Sequence, residues 1–416
     1  MISCNLNLWQ IQAHPCVYVV SNIKAVYGCV IDLSKAFDLV EWTQLFKILI
    51  EKKVAPIFLR IMLFVYRNQY CEVRWGTMKS DRFLVHNGVR QGAVSSPILF
   101  SIYIDGLIKE LRDSGLGCKI ERFYYGCLGY ADDLLLLSAS RSGLQSMVKI
   151  CEKFAKLKGL KFSTSEDPAK SKTKCIIFTK GKTPEAENIR LNGDPLPWVR
   201  DVKHLGNILQ SDNSMRSDCL AKRGKFIGIV NAMMQEFHFV NPDILVKLIN
   251  IYATSFYGSV LWKLNSPQVD KIYKTWNVTI RNIYGLPWKT HRYWVEKISG
   301  CYHPKTFLSS RMVKFAKSLI QCNKVGVRFL ASLCLEDRRT VMGMNMSNIA
   351  DEASADIGTL TPTNVKNALK YSSFPEDEEW RIPVVQELLD LRSSRQLIDN
   401  MTSEDINSML DLLCTN

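Results

Sequence analysis

The sequence lacks the cysteine spacings that are typical of metal sites with sulfur ligands. Its thirteen cysteines are spread singly between Cys4 and Cys414, and no two of them have the C-x-x-C separation typical of zinc sites. No cluster of cysteine and histidine has ligand spacing either. An odd, scattered set of thiols in a chain of 416 residues indicates reduced cysteines in an intracellular protein. This pattern does not distinguish nucleus from cytoplasm.

Targeting signals and long apolar runs are also missing. The first ten residues contain no basic segment followed by an apolar stretch, so a signal peptide is not expected. No uninterrupted apolar run approaches the roughly 20 residues that span a bilayer. A transmembrane helix, and with it a membrane partner, is therefore not expected. Apolar residues make up 47% of the chain and charged residues 23%, which is the composition of an ordinary globular protein.

Negative charge is scarce in most of the chain. The sequence has 54 Lys and Arg against 40 Asp and Glu, a net charge of +14. Residues 351–416 hold thirteen acids and five bases, so the preceding 350 residues hold 27 acids and 49 bases. A basic body favours a polyanionic partner such as nucleic acid. Solvated surface lysines would give the same charge, so charge alone does not decide between the two interpretations.

Apolar strands and amphipathic helices alternate up to about residue 210. The run at residues 24–33 predicts a buried strand that ends at Asp32, and residues 123–139 predict a hairpin with Asp132 and Asp133 at its turn. Helices are expected at residues 41–54, from Pro56, from an N-cap at Ser96, and at residues 143–158. Because the order lacks a strict βαβ repeat, it favours an α+β fold.

The remaining chain is predicted to be mainly helical. A polar stretch at residues 210–214 indicates a domain boundary near Ser211, and the acidic segment indicates another near Ala350. We therefore expect four parts: a short N-terminal segment (1–24), an α+β domain (25–210), a helical region (211–350) and an acidic, partly helical tail (351–416).

Three carboxylates stand where the predicted strands end. If the strand before Asp32 lies beside the hairpin that carries Asp132 and Asp133, three like charges meet at one sheet edge and require cations. Two Mg²⁺ ions about 4 Å apart would activate an attacking hydroxyl and stabilise a leaving pyrophosphate. Paired aspartates in a hairpin turn are, taken alone, usually only turn residues. The acids by themselves therefore leave both interpretations open.

The surroundings of these acids resemble the palm motifs of reverse transcriptases from non-LTR, LINE-like retrotransposons. The matching segments are DLSKAFD (32–38), NGVRQGAVSSP (87–97), YADD (130–133), GLKFS (159–163) with KSKTK (170–174), and VKHLG (202–206). Five motifs in the family's order are a specific signal, whereas one of them would not be. The resemblance implies a right-hand polymerase palm, built as an antiparallel sheet with helices, followed by a helical thumb and a helical C-terminal extension.

The resemblance also implies a reaction and its metal site. The enzyme would add dNTPs to the 3′-hydroxyl of a DNA primer along an RNA template. Asp32 and Asp132 would bind two Mg²⁺ ions, or Mn²⁺ as the alternative, together with Asp133 and the residue Leu33. Phe37 would lie beneath the incoming sugar and exclude a 2′-hydroxyl, although without the motif a core aromatic in an amphipathic turn would be the preferred interpretation.

Further matched residues would bind the nucleotide and the nucleic acid. Gln91 and Gly92 would line the nucleotide site, unless Gly92 is only a turn residue. Lys172 is the expected motif lysine beside the pyrophosphate, with Lys170 and Lys174 as rivals. The primer grip would be the tight turn of His204, Leu205 and Gly206. The thumb would contact nucleic-acid phosphates through Lys222, Arg223 and Lys225.

Several features of the family are not found. Residues 1–23 contain no Lys or Arg, where the family has basic fingers residues, so a truncated N-terminus is expected. Neither an endonuclease domain nor a Cys/His zinc knuckle is visible. These departures keep a catalytically inactive, RNA-binding remnant as the main alternative. A maturase-like splicing cofactor would need a dedicated RNA-binding domain after the thumb, and none is identified. A metal-dependent nuclease would leave the second and fifth motifs without a function.

Overall fold

The computed structural model describes residues 25–165, 167, 170–179 and 181–369. The chain divides into two compact units, with the boundary between Ser214 and Met215. The expected N-terminal segment (1–24) lies outside the described residues, as does the expected tail from residue 370 onward.

The described residues of the first unit mix strands with four helices, which confirms the predicted α+β class. Its strands are β1 (Ala25–Ile31), β2 (Leu33–Ser34), β3 (Tyr70–Cys71), β4 (Arg74–Trp75), β5 (Met78–Lys79), β6 (Phe83–Leu84), β7 (Lys119–Ile120), β8 (Phe123–Tyr124), β9 (Cys127–Tyr130), β10 (Asp133–Ser138), β11 (Lys161–Phe162), β12 (Lys174–Thr179), β13 (Ile189–Leu191), β14 (Asp194–Leu196), β15 (Trp198–Val199), β16 (Asp201–His204) and β17 (Asn207–Gln210). Its helices are α1 (Trp42–Glu51), α2 (Pro56–Arg67), α3 (Ser96–Asp113) and α4 (Arg141–Leu157).

The main sheet places β1 at its centre, in the order β15-β12-β1-β10-β9. All neighbouring strands are antiparallel except β12 and β15. Cys29 of β1 lies opposite Leu136 of β10 on one side and Cys175 of β12 on the other. Five of the seven residues of β1 are buried, which explains why the sequence of this strand is almost entirely apolar.

Helices α3 and α4 cover one face of this sheet. Side chains on that face form a continuous core with the helices, which includes Cys29, Ile31, Leu134, Leu136, Phe100, Tyr103, Met147, Cys151 and Phe154. Helix α3 begins at Ser96, but the expected N-cap role of this serine is wrong. Ser96 lies inside the first turn and is buried, so its hydroxyl donates instead to the main-chain oxygen of Arg90 at 2.6 Å.

The second unit is helical throughout its described residues. Its elements are α5 (Arg216–Glu236), α6 (Pro242–Tyr252), a 3₁₀ turn (Ser259–Leu261), α7 (Pro267–Tyr284), α8 (Arg292–Ser299), α9 (Pro304–Ile320), α10 (Val325–Glu336), α11 (Val341–Glu352) and α12 (Pro362–Leu369). The boundary expected near Ala350 falls inside α11. Helix α12 also packs on α9, where Ser310 donates to the main-chain oxygen of Pro362 at 3.2 Å. The charge composition changes near residue 350, but helical packing continues past it, through α11 and α12.

None of the helices in the described ranges is both long enough and apolar enough to cross a membrane.

Candidate active site

The three predicted acids lie at one end of the central strands. Asp32 directly follows β1, whose last residue, Ile31, pairs with Leu134 of β10. Strands β9 and β10 are joined by a tight turn in which Asp133 pairs with Tyr130. Ala131 completes this turn with a positive φ of 53°. The strand before Asp32 is therefore hydrogen-bonded to the hairpin that carries Asp132 and Asp133, as the motif order requires.

The carboxylates of this turn carry raised pKa values. Burial, together with the negative charges of Asp132 and Asp32, raises the pKa of Asp133 to about 6. Burial also raises the pKa of Asp132, with a contribution from the charge of Asp32, against a lowering by a main-chain hydrogen bond. Desolvated carboxylates that repel one another are stabilised by a cation between them. The electrostatics of this sheet edge thus fit a divalent metal ion.

The candidate metal ligands do not converge on a single point. Within the described ranges, no three His, Cys, Asp or Glu side chains are gathered closely enough to hold a metal ion. The side chain of Leu33 is apolar and buried, so only its main-chain carbonyl could serve as a ligand. The donor atoms therefore suit a hard cation, and ion binding would have to draw the carboxylates together.

We expect the Asp133→Asn variant to be more stable than the parent above pH 6 when divalent cations are absent. A carboxyl whose pKa is raised in the folded state costs no stability below its unfolded pKa, and the cost grows until the pH passes about 6. The amide has no such charge. Because the group is partly solvated, an increase in Tm of about 2–4 °C is expected, which is roughly 1 kcal/mol for a unit of this size.

Thermal melts of both proteins from pH 4 to pH 8, with a chelator present, measure this difference. The exposed Asp113 at the end of α3 provides the control, because Asp113→Asn should leave the pH profile of Tm unchanged. Parallel profiles for the parent and Asp133→Asn would contradict the raised pKa.

The second palm motif is bonded to the first. The main-chain N–H of Val89 donates to the oxygen of Phe37 at 2.8 Å, and that of Gly88 donates to the oxygen of Val40 at 2.9 Å. The indole of Trp42 donates to the oxygen of Gly88 at 2.8 Å. These hydrogen bonds hold the second motif against the end of motif one and the residues that follow it.

Gly88 lies where no other residue fits. Its φ is +90°, and a Cβ built on it would approach the main-chain atoms of Asp38 and Phe37 to 3.0 Å. We expect Gly88→Ala to lower the free energy of unfolding by about 2–3 kcal/mol, through backbone strain and displacement of motif one. Chemical denaturation measures the loss. Gly193 has the same φ, +91°, but open space around it, so Gly193→Ala should cost about 1 kcal/mol. Equal losses would show that close approach at Gly88 is unimportant.

The expected nucleotide-site residues lie around this junction. Phe37 is half-buried and stacks on Phe100 of α3, with ring centroids 5.2 Å apart. Gln91 and Gly92 are exposed, and the amide of Gln91 reaches the carboxylate of Asp38 at 3.5 Å. Gly92 has a φ of +85° with open space beside it. Packing on Phe100 fits a core role for one face of Phe37, and its role in sugar selection stays a prediction.

The fourth motif is attached to Asp32 itself. The N–H of Asp32 donates to the hydroxyl of Thr173 at 3.3 Å, and the N–H of Ser163 donates to the oxygen of Asp32 at 2.9 Å. Lys172 is exposed between two buried residues, Ser171 and Thr173. Thr173 was not predicted as part of the site, because only the fold brings its hydroxyl to a residue 141 positions away.

The rival lysines have different surroundings. Lys170 forms an exposed ion pair with Asp167 at 3.6 Å, and Lys174 lies in the sheet opposite Val30. Lys172 is thus exposed, joined directly to the residue that binds the main chain of Asp32, and without an ion pair to a described residue. These surroundings favour Lys172 as the motif lysine.

The predicted primer grip is a two-residue hairpin turn between β16 and β17. Leu205 and Gly206 have positive φ values of 45° and 77°, as the central residues of a type I′ turn require. His204 pairs with Asn207 across the turn, and both side chains are buried. Burial lowers the pKa of His204 to about 4, so its ring is neutral at neutral pH. A contact with the primer stays a prediction.

The three predicted thumb residues on α5 have unequal surroundings. Lys222 is a poor candidate for phosphate binding, because its side chain is 13% exposed and its ammonium lies 2.8 Å from the buried carboxylate of Asp218. Arg223 is half-buried and donates to the hydroxyl of Thr275 on α7 at 2.6 Å. Lys225 is exposed. Of the three, only Lys225 lies mainly in solvent.

Residues 8–209 match the sequence profile of a family described as reverse transcriptase (RNA-dependent DNA polymerase). This part of the chain belongs to the reverse transcriptase family. Divalent metal ions are the normal cofactors of the family. The resemblance to LINE-like enzymes is confirmed by the relatives of the chain.

Two of these relatives are Pol polyproteins of retrotransposable elements. Over 139 residues, 33% of its length, the chain is 33% identical to the Pol polyprotein of a type-1 element R2 from Nasonia vitripennis. Over 221 residues it is 27% identical to that of a type-1 element R1 from Bradysia coprophila. The chain spans 13% and 20% of these two relatives, respectively.

Among solved structures, apo telomerase from Candida tropicalis overlaps 91% of this chain and 55% of its own, at 11% identity and a TM-score of 0.36. This TM-score is too low to support the assignment of a palm. That assignment depends on the family match and on the antiparallel main sheet of the first unit.

Proposed function

We propose that this chain is an RNA-directed DNA polymerase of a LINE-like retrotransposon. The observation that carries the proposal is that Asp32, Asp132 and Asp133 lie at the same end of paired strands, where their charges interact, inside a domain that matches the reverse transcriptase family. An intracellular site of action, in the nucleus or the cytoplasm, goes with this function. Its partners are an RNA template, a DNA primer and dNTPs.

The acids would hold two Mg²⁺ ions, with the main-chain carbonyl of Leu33 as a further ligand. When bound, the ions supply charge that lowers the pKa of the primer 3′-hydroxyl and stabilises the pyrophosphate. The raised pKa of Asp133 makes this binding depend on pH, because protons compete with the cation below about pH 6.

The other motif residues would position the reactants. Lys172, exposed beside the anchored Thr173, would neutralise or protonate the departing pyrophosphate. Gln91 and Gly92 would lie against the nascent base pair, where a glycine allows close approach, and Phe37 would meet the sugar. The protein thus contributes mainly positioning and electrostatics, as is usual for this kind of transfer.

Incubation of the purified chain with poly(rA)/oligo(dT), labelled dTTP and Mg²⁺ tests the proposal. The Asp132→Ala, Asp133→Ala double variant is the matched negative control. We expect incorporation by the parent and none by the variant. If neither incorporates dTTP while both bind RNA, the inactive RNA-binding alternative would replace this function.

A further inference from the structure

A basic groove lies along helix α4 of the first unit, and its lining includes residues of the fourth motif but none of the three site carboxylates. It has a volume of about 790 Å³ and is lined by one face of α4, by β11 and by the turn between β13 and β14. Four lysines line it, namely Lys149, Lys153, Lys156 and Lys161. We define these four side chains and the space between them as the basic groove.

Positive charge exceeds negative charge in the lining of the basic groove. All four lysines are exposed, and none of them forms an ion pair with another described residue. The one carboxylate in the lining, Glu152, accepts a short hydrogen bond from the main-chain N–H of Asn192 and is half-buried. The lining thus holds four lysines against one carboxylate, and the lysines face solvent as a local positive surface.

The spacing of the lysines suits an extended polyanion. Lys149, Lys153 and Lys156 are four and three residues apart, so they share one face of α4 and lie about 6 Å and 4.5 Å apart along its axis. A single phosphate could contact only part of this row. A strand with repeated phosphates could contact all of it, because each lysine acts as a flexible point charge.

The apolar residues of the basic groove argue against a protein partner or a free nucleotide. Leu160 and Phe162 are at most 9% exposed, so neither offers an apolar anchor to a protein or a ring face on which a base could stack. What the groove offers a ligand is positive charge. This favours sequence-independent contact with a phosphodiester backbone.

The basic groove is joined to the candidate active site through one strand pair. Lys161 of β11 pairs with Ser34 of β2, two residues after Asp32, and the N–H of Ser163 donates to the oxygen of Asp32 at 2.9 Å. Paired strands lie about 4.8 Å apart. The main chain of Lys161, at one end of the groove, therefore lies close to the segment that follows Asp32.

We propose that the basic groove binds the phosphate backbone of the single-stranded RNA template. The choice of RNA depends on the proposed function, whereas the attraction to a polyanion depends only on the lysines. The groove would add a docking surface for template that does not contact the reacting atoms, and it would act without metal ions or nucleotide.

The salt dependence of RNA binding tests this. We would measure the Kd of a labelled single-stranded RNA by fluorescence anisotropy, without divalent ions, for the parent and for Lys149→Gln, Lys153→Gln, Lys156→Gln combined. Three lost phosphate contacts should reduce the slope of log Kd against log salt by about 2 and weaken binding about tenfold at low salt. A combined Lys→Arg variant at the same positions should bind like the parent.

A second triple variant controls for net charge. Lys47, Lys109 and Lys119 are exposed lysines of the same unit, and their combined change to Gln removes the same charge from other surfaces. It should leave the slope unchanged. Equal slopes for all variants, or equal losses in both triple variants, would overturn the proposal. Because the assay involves no turnover, a failure of the proposed polymerase function would not alter these outcomes.

Discussion

Replacing Asp32 by Asn is expected to lower the rate of dTTP incorporation by about 1000-fold or more while RNA binding remains. The amide keeps the size of the side chain but removes one of the negative charges that bind the metal ions. Since those ions are proposed to stabilise both the attacking and the leaving oxygen, weakening them affects the transition state more than the bound substrate. The loss should therefore fall on kcat.

Steady-state primer extension across a range of Mg²⁺ and dTTP concentrations measures this effect. Asp113→Asn removes the same charge from an exposed position at the end of α3 and should keep full activity. Circular dichroism melts show whether Asp32→Asn remains folded. If the folded variant kept more than a tenth of the parent rate, Asp32 could not be a ligand of the catalytic ions.

The structure that surrounds Asp32 could be predicted where the chain encodes it locally. Strand β1 is buried, so it is written as an apolar run ending at the acid, and helix α4 is followed by Gly159 with a positive φ of 65°. The pairing of β1 with the hairpin of Asp132 could be predicted only because several motifs occur in order. Neither strand, taken alone, specifies its neighbour.

Contacts between distant residues could not be predicted in this way. The tight fit of Gly88 against Asp38 and the bond between Thr173 and Asp32 depend on the finished fold. The boundary expected near Ala350 rested on charge composition, which reports solvation and not packing. Lys222 was predicted to face nucleic acid because it lies in a basic segment. Its position instead depends on Asp218, whose carboxylate is also bonded by the indole of Trp262, forty residues after Lys222.

The surroundings of Lys222 lead to the second large effect. The carboxylate of Asp218 is buried, receives the ammonium of Lys222 at 2.8 Å, and accepts a hydrogen bond from the indole of Trp262 at 2.7 Å. Burial lowers the pKa of Lys222, and the charge of Asp218 opposes that lowering. The ammonium also lies 5.7 Å from the ring of Trp262. The start of α5 is thus fixed by one desolvated ion pair.

We expect Asp218→Ala to lower the free energy of unfolding by about 3–5 kcal/mol, because it removes the carboxylate that compensates a largely buried ammonium. Chemical denaturation monitored by tryptophan fluorescence measures the change. Asp270→Ala is the matched control, since it breaks an exposed ion pair with Lys274, also four residues apart, and should cost about 0.5 kcal/mol or less. Adding Lys222→Met to Asp218→Ala should recover part of the loss, because the buried charge is then gone. If the double variant were less stable than Asp218→Ala, packing by the lysine stem would matter more than its charge, and α5 would be held mainly by apolar contacts.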